Sequence, residues 1–252
     1  MSARVAAVAT RADRVRQVAV TLSLVLCVVG SMIGVGVFGG TPIQDAAGGL
    51  LAADATHLAP ASPAFSVWTV IYLGLGAYTV VQLLPGRAAD PLFRSVGWPA
   101  AASMLLNAAW ILVVQAGLVA LSVAVIVALL AVLVLVFLRL RAVSGRGPLD
   151  RVVVGGTFGA YLGWVSVATV ANVAAALLGA GLTGAGAPQA LSVAVLAVVA
   201  AVGVGLVLVG GAGRTSGYGV AATMVWGLVW IGIGRTQGDL LAPMTAAAAH
   251  AA

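Results

Sequence analysis

The chain has 252 residues, 62% of them hydrophobic and only 7% charged, against about 25% charged in an ordinary soluble domain. With a mean hydropathy of +1.17 it has too little polar material to face water, which excludes a soluble enzyme and makes the bilayer its solvent. All twelve basic residues are Arg and all six acids are Asp, so chemistry that needs a lysine amine, a retinal Schiff base or a P-loop, is excluded as well.

Inside hydrocarbon every backbone N–H and C=O must be paired internally, which leaves helices or a closed barrel. Barrel strands would alternate apolar and polar residues over about ten positions. Here the apolar runs are continuous and about 20 residues long, enough for a helix to cross a core of about 30 Å. Seven such runs are predicted, at 18–38, 64–84, 97–116, 118–138, 153–178, 190–210 and 217–234. The third and fourth are split at 115–117 because together they are too long for one crossing. The first could be a signal peptide on its basic flank alone, but its run exceeds the usual signal core of about 7–15 residues.

The arginines support this count. Arg4, Arg11, Arg14 and Arg16 precede the first run, Arg87 and Arg94 follow the second, Arg139, Arg141, Arg146 and Arg151 follow the fourth, and Arg214 follows the sixth; only Arg235 falls on the other side. That asymmetry predicts a multi-pass protein of the cell membrane with a cytoplasmic N-terminus. It also makes the high pI of 10.7 a topogenic property rather than a mark of nucleic-acid binding. The longest external loop, 39–63, is the natural lid. The single histidine there, His57, has no Cys or acid at ligand spacing, which argues against a metal. The lone Cys27 forms no intrachain disulfide. The residues sort into a basic N-tail (1–17), a five-helix core (18–180), two further membrane helices (181–236) and an Ala-rich tail (237–252) expected to be disordered. Three small-residue pairs or triplets at GxxxG spacing, Gly30/Gly34, Gly36/Gly40 and Gly155/Gly159/Gly163, fit tight packing within the chain or a homodimer face.

Polar residues at membrane depth are costly and therefore informative. Asn107 lies midway along the third run and Asn172 in the outer half of the fifth. Trp68 and Tyr72 share one face of the second helix at i,i+4, Asn107 and Trp110 one face of the third at i,i+3, and Trp164, Ala168 and Asn172 one face of the fifth. All lie in the middle to outer leaflet below the long loop, as flat aromatic walls with a few polar groups. Interhelical hydrogen bonding and simple packing remain open as roles for the same residues. Trp226 and Trp230 read as a packing face, and Trp98 and Tyr218 as interfacial aromatics. No Asp lies deep in a run, so a carboxylate proton relay is lacking.

Three stretches then stand out together. The second helix reads Pro63-Ala-Phe-Ser-Val-Trp68-Thr-Val-Ile-Tyr72-Leu-Gly-Leu-Gly76, the third Leu106-Asn107-Ala-Ala-Trp110, and the fifth Tyr161-Leu-Gly-Trp164-Val-Ser-Val-Ala-Thr-Val-Ala-Asn172. In this order they resemble the translocator-protein family (TspO, the tryptophan-rich sensory proteins), over about residues 60–178. The resemblance implies an all-α bundle with a translocator-like five-helix core, here followed by two extra helices. It implies a pocket for a planar apolar ligand, a porphyrin, haem or sterol-like lipid, touched by Trp68, Tyr72, Asn107, Trp110, Trp164 and Asn172, with no cofactor required, in a sensor, regulator or carrier rather than an enzyme. Ser103 stands where the family usually has Gln, and Ile111-Leu-Val-Val114 replaces an aromatic or proline run. A facilitator of small lipophilic solutes, a structural assembly protein and a tetrapyrrole-degrading activity are the rival readings.

Overall fold

The computed structural model describes residues 8–39, 41–143, 147–182, 189–210 and 215–252. Gly40, Arg4, Arg146 and Arg214 lie outside them. The longer helices are α1 (Arg11–Gly34), α2 (Val67–Leu83), α3 (Pro91–Gln115), α4 (Val119–Ala142), α5 (Thr157–Gly179), α6 (Gln189–Gly210), α7 (Thr215–Gln237) and α8 (Pro243–Ala251). A 3₁₀ turn, Ser62–Ser66, leads into α2, and a helical turn, Pro148–Asp150, followed by a π-turn, Arg151–Gly156, leads into α5. The first seven helices, with these lead-ins, are long and apolar enough to cross a membrane. The protein is a polytopic helical bundle, and no strand occurs among the described residues.

Local chemistry sets the ends. Thr10 and Asp13 cap α1 reciprocally, with the Asp13 N–H donating to Thr10 Oγ1 at 3.3 Å and the Thr10 N–H to Asp13 Oδ2 at 2.9 Å; each satisfies a backbone donor the helix cannot. The break between α3 and α4 falls at Gly117, whose φ of +75° suits glycine. The N–H groups of Gly117 and Leu118 return to the carbonyls of Val114 and Val113 at 2.9 and 3.0 Å, a Schellman ending. Gly181 ends α5 the same way.

The arginine-rich end is stapled as well as charged. Asp13 pairs with Arg16 at 2.9 Å and Arg94 at 2.6 Å, joining α1 to α3. Arg87 joins Asp90 and Asp150 at 3.0 and 2.9 Å. Arg139 donates to the Ser95 carbonyl at 2.7 Å. Trp98 and Tyr218 are exposed, as interfacial aromatics should be.

Two of the small-residue stripes are packing surfaces inside the chain. A methyl added at Gly30 would press on Ala108, and one at Gly34 on Ile111, so α1 lies close on α3. A methyl at Gly159 would overlap the Ser216 backbone, and one at Gly163 the Val220 backbone. The resulting approach of α5 to α7 lets Thr223 Oγ1 donate to the Ala160 carbonyl at 2.8 Å. Of the two roles open to these glycines, packing within the chain is the one they fill here. Gly36 lies past the end of α1 in a turn, with φ +77°, and is on no helix face. α1 is thus packed into the bundle against α3.

The tail expected to be disordered is helical. α8 buries Thr245, Ala246 and Ala249, and a methyl added at Gly232 of α7 would strike His250. Alanine has the highest helix propensity, proline is well suited to the first turn, and side chains this small can lie flat on a glycine.

Candidate functional site

The long connection between α1 and α2 is a pinned cap rather than a free lid. The Ile43 N–H donates to the Gly34 carbonyl at 2.8 Å, and the Ala61 N–H to the Trp230 carbonyl at 3.1 Å. Gln115 Nε2 donates to Thr41 O at 2.8 Å. Trp226 Nε1 donates to Ala64 O at 2.9 Å, so the Trp226/Trp230 pair is the packing face expected of it. Arg235 reaches up from α7, donating through Nη1 to Thr56 O at 2.9 Å and through Nη2 to Ala53 O. It is 1% exposed. In the sequence it stands out only as the one arginine on the other side from the rest.

Below this cap the aromatic residues meet. Trp68 and Tyr72 stack with ring centres 5.4 Å apart and planes 17° apart. Trp68 also meets Tyr161 and Trp164 edge to face, at 5.8 and 6.3 Å, and Phe65 meets Trp164 at 5.9 Å. These separations and angles are those aromatic quadrupoles favour.

Two spaces lie on either side of Phe65 and Trp110. The larger, about 460 Å³, is walled by Trp68, Tyr72, Phe65, Trp110 and Ile111, by the end of α1 at Ser31, Met32 and Gly34 with Val35 just beyond it, and by Pro42–Gln44 of the cap. Thr69 and Val35 on its rim are exposed, so its mouth lies between α1 and α2. The smaller, about 30 Å³, is bounded by Trp110, Trp164, Ala168, Asn172 and the cap, with room for a water at most. The six residues picked out in the sequence therefore divide: Trp68, Tyr72 and Trp110 wall the open cavity, whereas Trp164 and Asn172 border only the small void. Asn107 walls neither.

The polar groups divide in the same way. Both polar atoms of Asn172 are partnered: its Oδ1 accepts from Trp110 Nε1 at 2.9 Å, and its Nδ2 donates to Ser122 Oγ at 2.9 Å. The Ser122 hydroxyl has one proton, and it goes to the Val119 carbonyl at 2.7 Å. Asn172 thus joins α5 to α3 and α4, and Ser122 is a partner sequence reading missed, because a serine in an apolar run carries no signal of its own. Asn107, 0% exposed, makes a long contact from Nδ2 to Tyr72 Oη at 3.4 Å. Among the described residues its Oδ1 has no hydrogen-bond partner, and neither does Trp164 Nε1. Tyr161 Oη donates to the Ser103 carbonyl at 3.2 Å, so the position that departs from the family pattern takes part through its backbone.

A family model for TSPO-like protein matches residues 17–252. The chain belongs to the TSPO-like family. No curated protein and no solved structure matches it. Because the match runs from α1 through α8, the last helices of this TSPO-like chain are part of the family pattern. The aromatic and Asn motifs that identify it sit on α2, α3 and α5.

Proposed function

We propose that this TSPO-like membrane protein binds a planar apolar molecule, a porphyrin, haem or flat lipid, in the cavity walled by Trp68, Tyr72 and Trp110, and acts as a sensor, regulator or carrier of it. The observation that carries the reading is the open cavity of about 460 Å³, within the range of about 300–1,000 Å³ of small-molecule sites. Its walls are aromatic faces suited to stacking on a flat ring system. The mouth between α1 and α2 lets such a molecule enter from the bilayer. Asn107, held behind Tyr72 with a spare Oδ1, would orient the polar edge of the ligand by fixing the Tyr72 hydroxyl. Asn172 sets the spacing of α3 and α5 and so the width of the site. The localisation that fits is the cell membrane, with the arginine-rich end and the N-terminus cytoplasmic and the cap outside.

The test is a titration of detergent-purified protein with protoporphyrin and with haem, following tryptophan quenching and the Soret band, beside Trp68→Leu and Trp110→Phe. Saturable micromolar binding that Trp68→Leu weakens at least tenfold supports the proposal. Equal binding by the folded variants removes it.

A further inference from the structure

A second cavity, of about 290 Å³, lies between α5 and α6 and shares no residue with the aromatic one. Its walls are mainly apolar, with Val170, Val173 and Ala174 on one side and Leu191 and Val195 on the other; of the two wall hydroxyls, Thr169 and Ser192, that of Thr169 is spent on the Val165 carbonyl at 2.7 Å. Leu177 and Leu191 line it and are also exposed on membrane-spanning helices, so its mouth faces hydrocarbon. Its inner end is different. There the cap contributes Thr56 and His57, which are only 9% and 7% exposed.

Among the described residues, Thr56 Oγ1 and His57 Nδ1 are buried without a hydrogen-bond partner, and neither ring nitrogen of His57 makes a hydrogen bond. Buried polar groups are almost always paired, and an apolar pocket ending in two orphaned polar groups is what an amphiphile completes. Behind them sits the Arg235 guanidinium, bonded to Thr56 O and to no carboxylate within ion-pair distance among the described residues. Its field favours an electronegative end. The volume, at the bottom of the small-molecule range, suits one extended chain rather than a fused ring system.

We propose that this cavity takes a single-chain fatty acid from the bilayer, its chain between α5 and α6 and its carboxyl end hydrogen-bonded by His57 and Thr56. The site is independent of the aromatic cavity and of any porphyrin binding there.

The test uses the full chain in nanodiscs and a diazirine-bearing palmitic acid as the probe, with cross-links mapped by mass spectrometry. Cross-links should fall on Val173, Ala174, Leu177, Leu191 or Val195, and unlabelled palmitic acid should compete them away where hexadecane, which lacks the polar end, does not. His57→Leu and Thr56→Val should each lower the competable labelling about tenfold, the loss expected of one buried hydrogen bond. Ala174→Phe, which fills the cavity from its wall, should abolish it. Labelling spread evenly over all the membrane helices and not competed would mean ordinary boundary lipid and would overturn the proposal. So would equal competition by hexadecane, or undiminished labelling of the folded His57→Leu and Ala174→Phe proteins.

Discussion

Trp110 on α3 donates its indole N–H to Asn172 on α5 at 2.9 Å, and the other end of the same amide donates to Ser122 on α4. One side chain therefore fixes the relative position of three helices directly behind the aromatic cavity. In hydrocarbon no water can replace these bonds.

Replacing Asn172 by Leu removes both bonds and leaves the Trp110 N–H buried and unpaired. An interhelical bond of this kind is worth about 1 kcal/mol in a membrane bundle, so the variant should lose about 1–2 kcal/mol. Its thermal midpoint in detergent should fall by several degrees. An unchanged midpoint would show that the three helices are positioned by packing alone.

Trp68 and Trp164 touch but should answer differently. Trp164→Leu empties space around the small void and should destabilise by about 2 kcal/mol or more, while ligand affinity changes little. Trp68→Leu opens the larger cavity further and should weaken ligand binding with a smaller loss of stability. Paired melting and titration of the two variants separates a packing residue from a binding one.

Gly159 and Gly76 make a matched pair. Gly159 faces the Ser216 backbone and has no room for a side chain, whereas nothing lies within 4 Å of a methyl group added at Gly76. Gly159→Leu should force α5 from α7 and abolish monodisperse elution. Gly76→Ala should stabilise by about 0.5–1 kcal/mol, the helix-propensity difference.

Arg235 holds the cap through the carbonyls of Ala53 and Thr56. Arg235→Met keeps the stem but not the donors, so residues 50–58 should exchange amide hydrogens faster while the helices keep their protection. Equal exchange in both proteins would mean that the other tethers suffice.

Burial, and then the nearby charge of Arg235, hold the His57 imidazole below its ordinary value of 6.5. The unfolded chain therefore takes up a proton on this side chain at a higher pH than the folded one. The linkage makes stability rise with pH wherever the unfolded state binds more protons. Above about pH 6.5 both states are neutral here and nothing is lost; below it stability should fall as pH falls towards the folded value. Melting curves between about pH 7.5 and about pH 5.5 should show this slope in the parent protein and a shallower one in His57→Gln.

Sequence alone determined the solvent, the number of crossings and the depth of the candidate residues. Hydrocarbon tolerates only continuous apolar runs with internally paired backbone, and that constraint is written locally: in run length, in Gly117 at the break between α3 and α4, and in arginines clustered at one end. The Asn and Trp motifs were legible for the same reason, since polar and bulky aromatic residues are conspicuous against Ala, Val and Leu. Which of them face a cavity was not legible. Asn172 and Asn107 look alike in sequence, yet one has both polar atoms partnered, by Trp110 and Ser122, and the other has an oxygen without a partner among the described residues. Arg235, separated from the cap by most of the chain, comes up beneath it and bonds to Thr56 O, next to His57. The fate of the small-residue stripes and of the Ala-rich tail also waited on the tertiary structure. A glycine face or a short alanine helix gains its energy only from what lies against it, and periodicity does not say what that is.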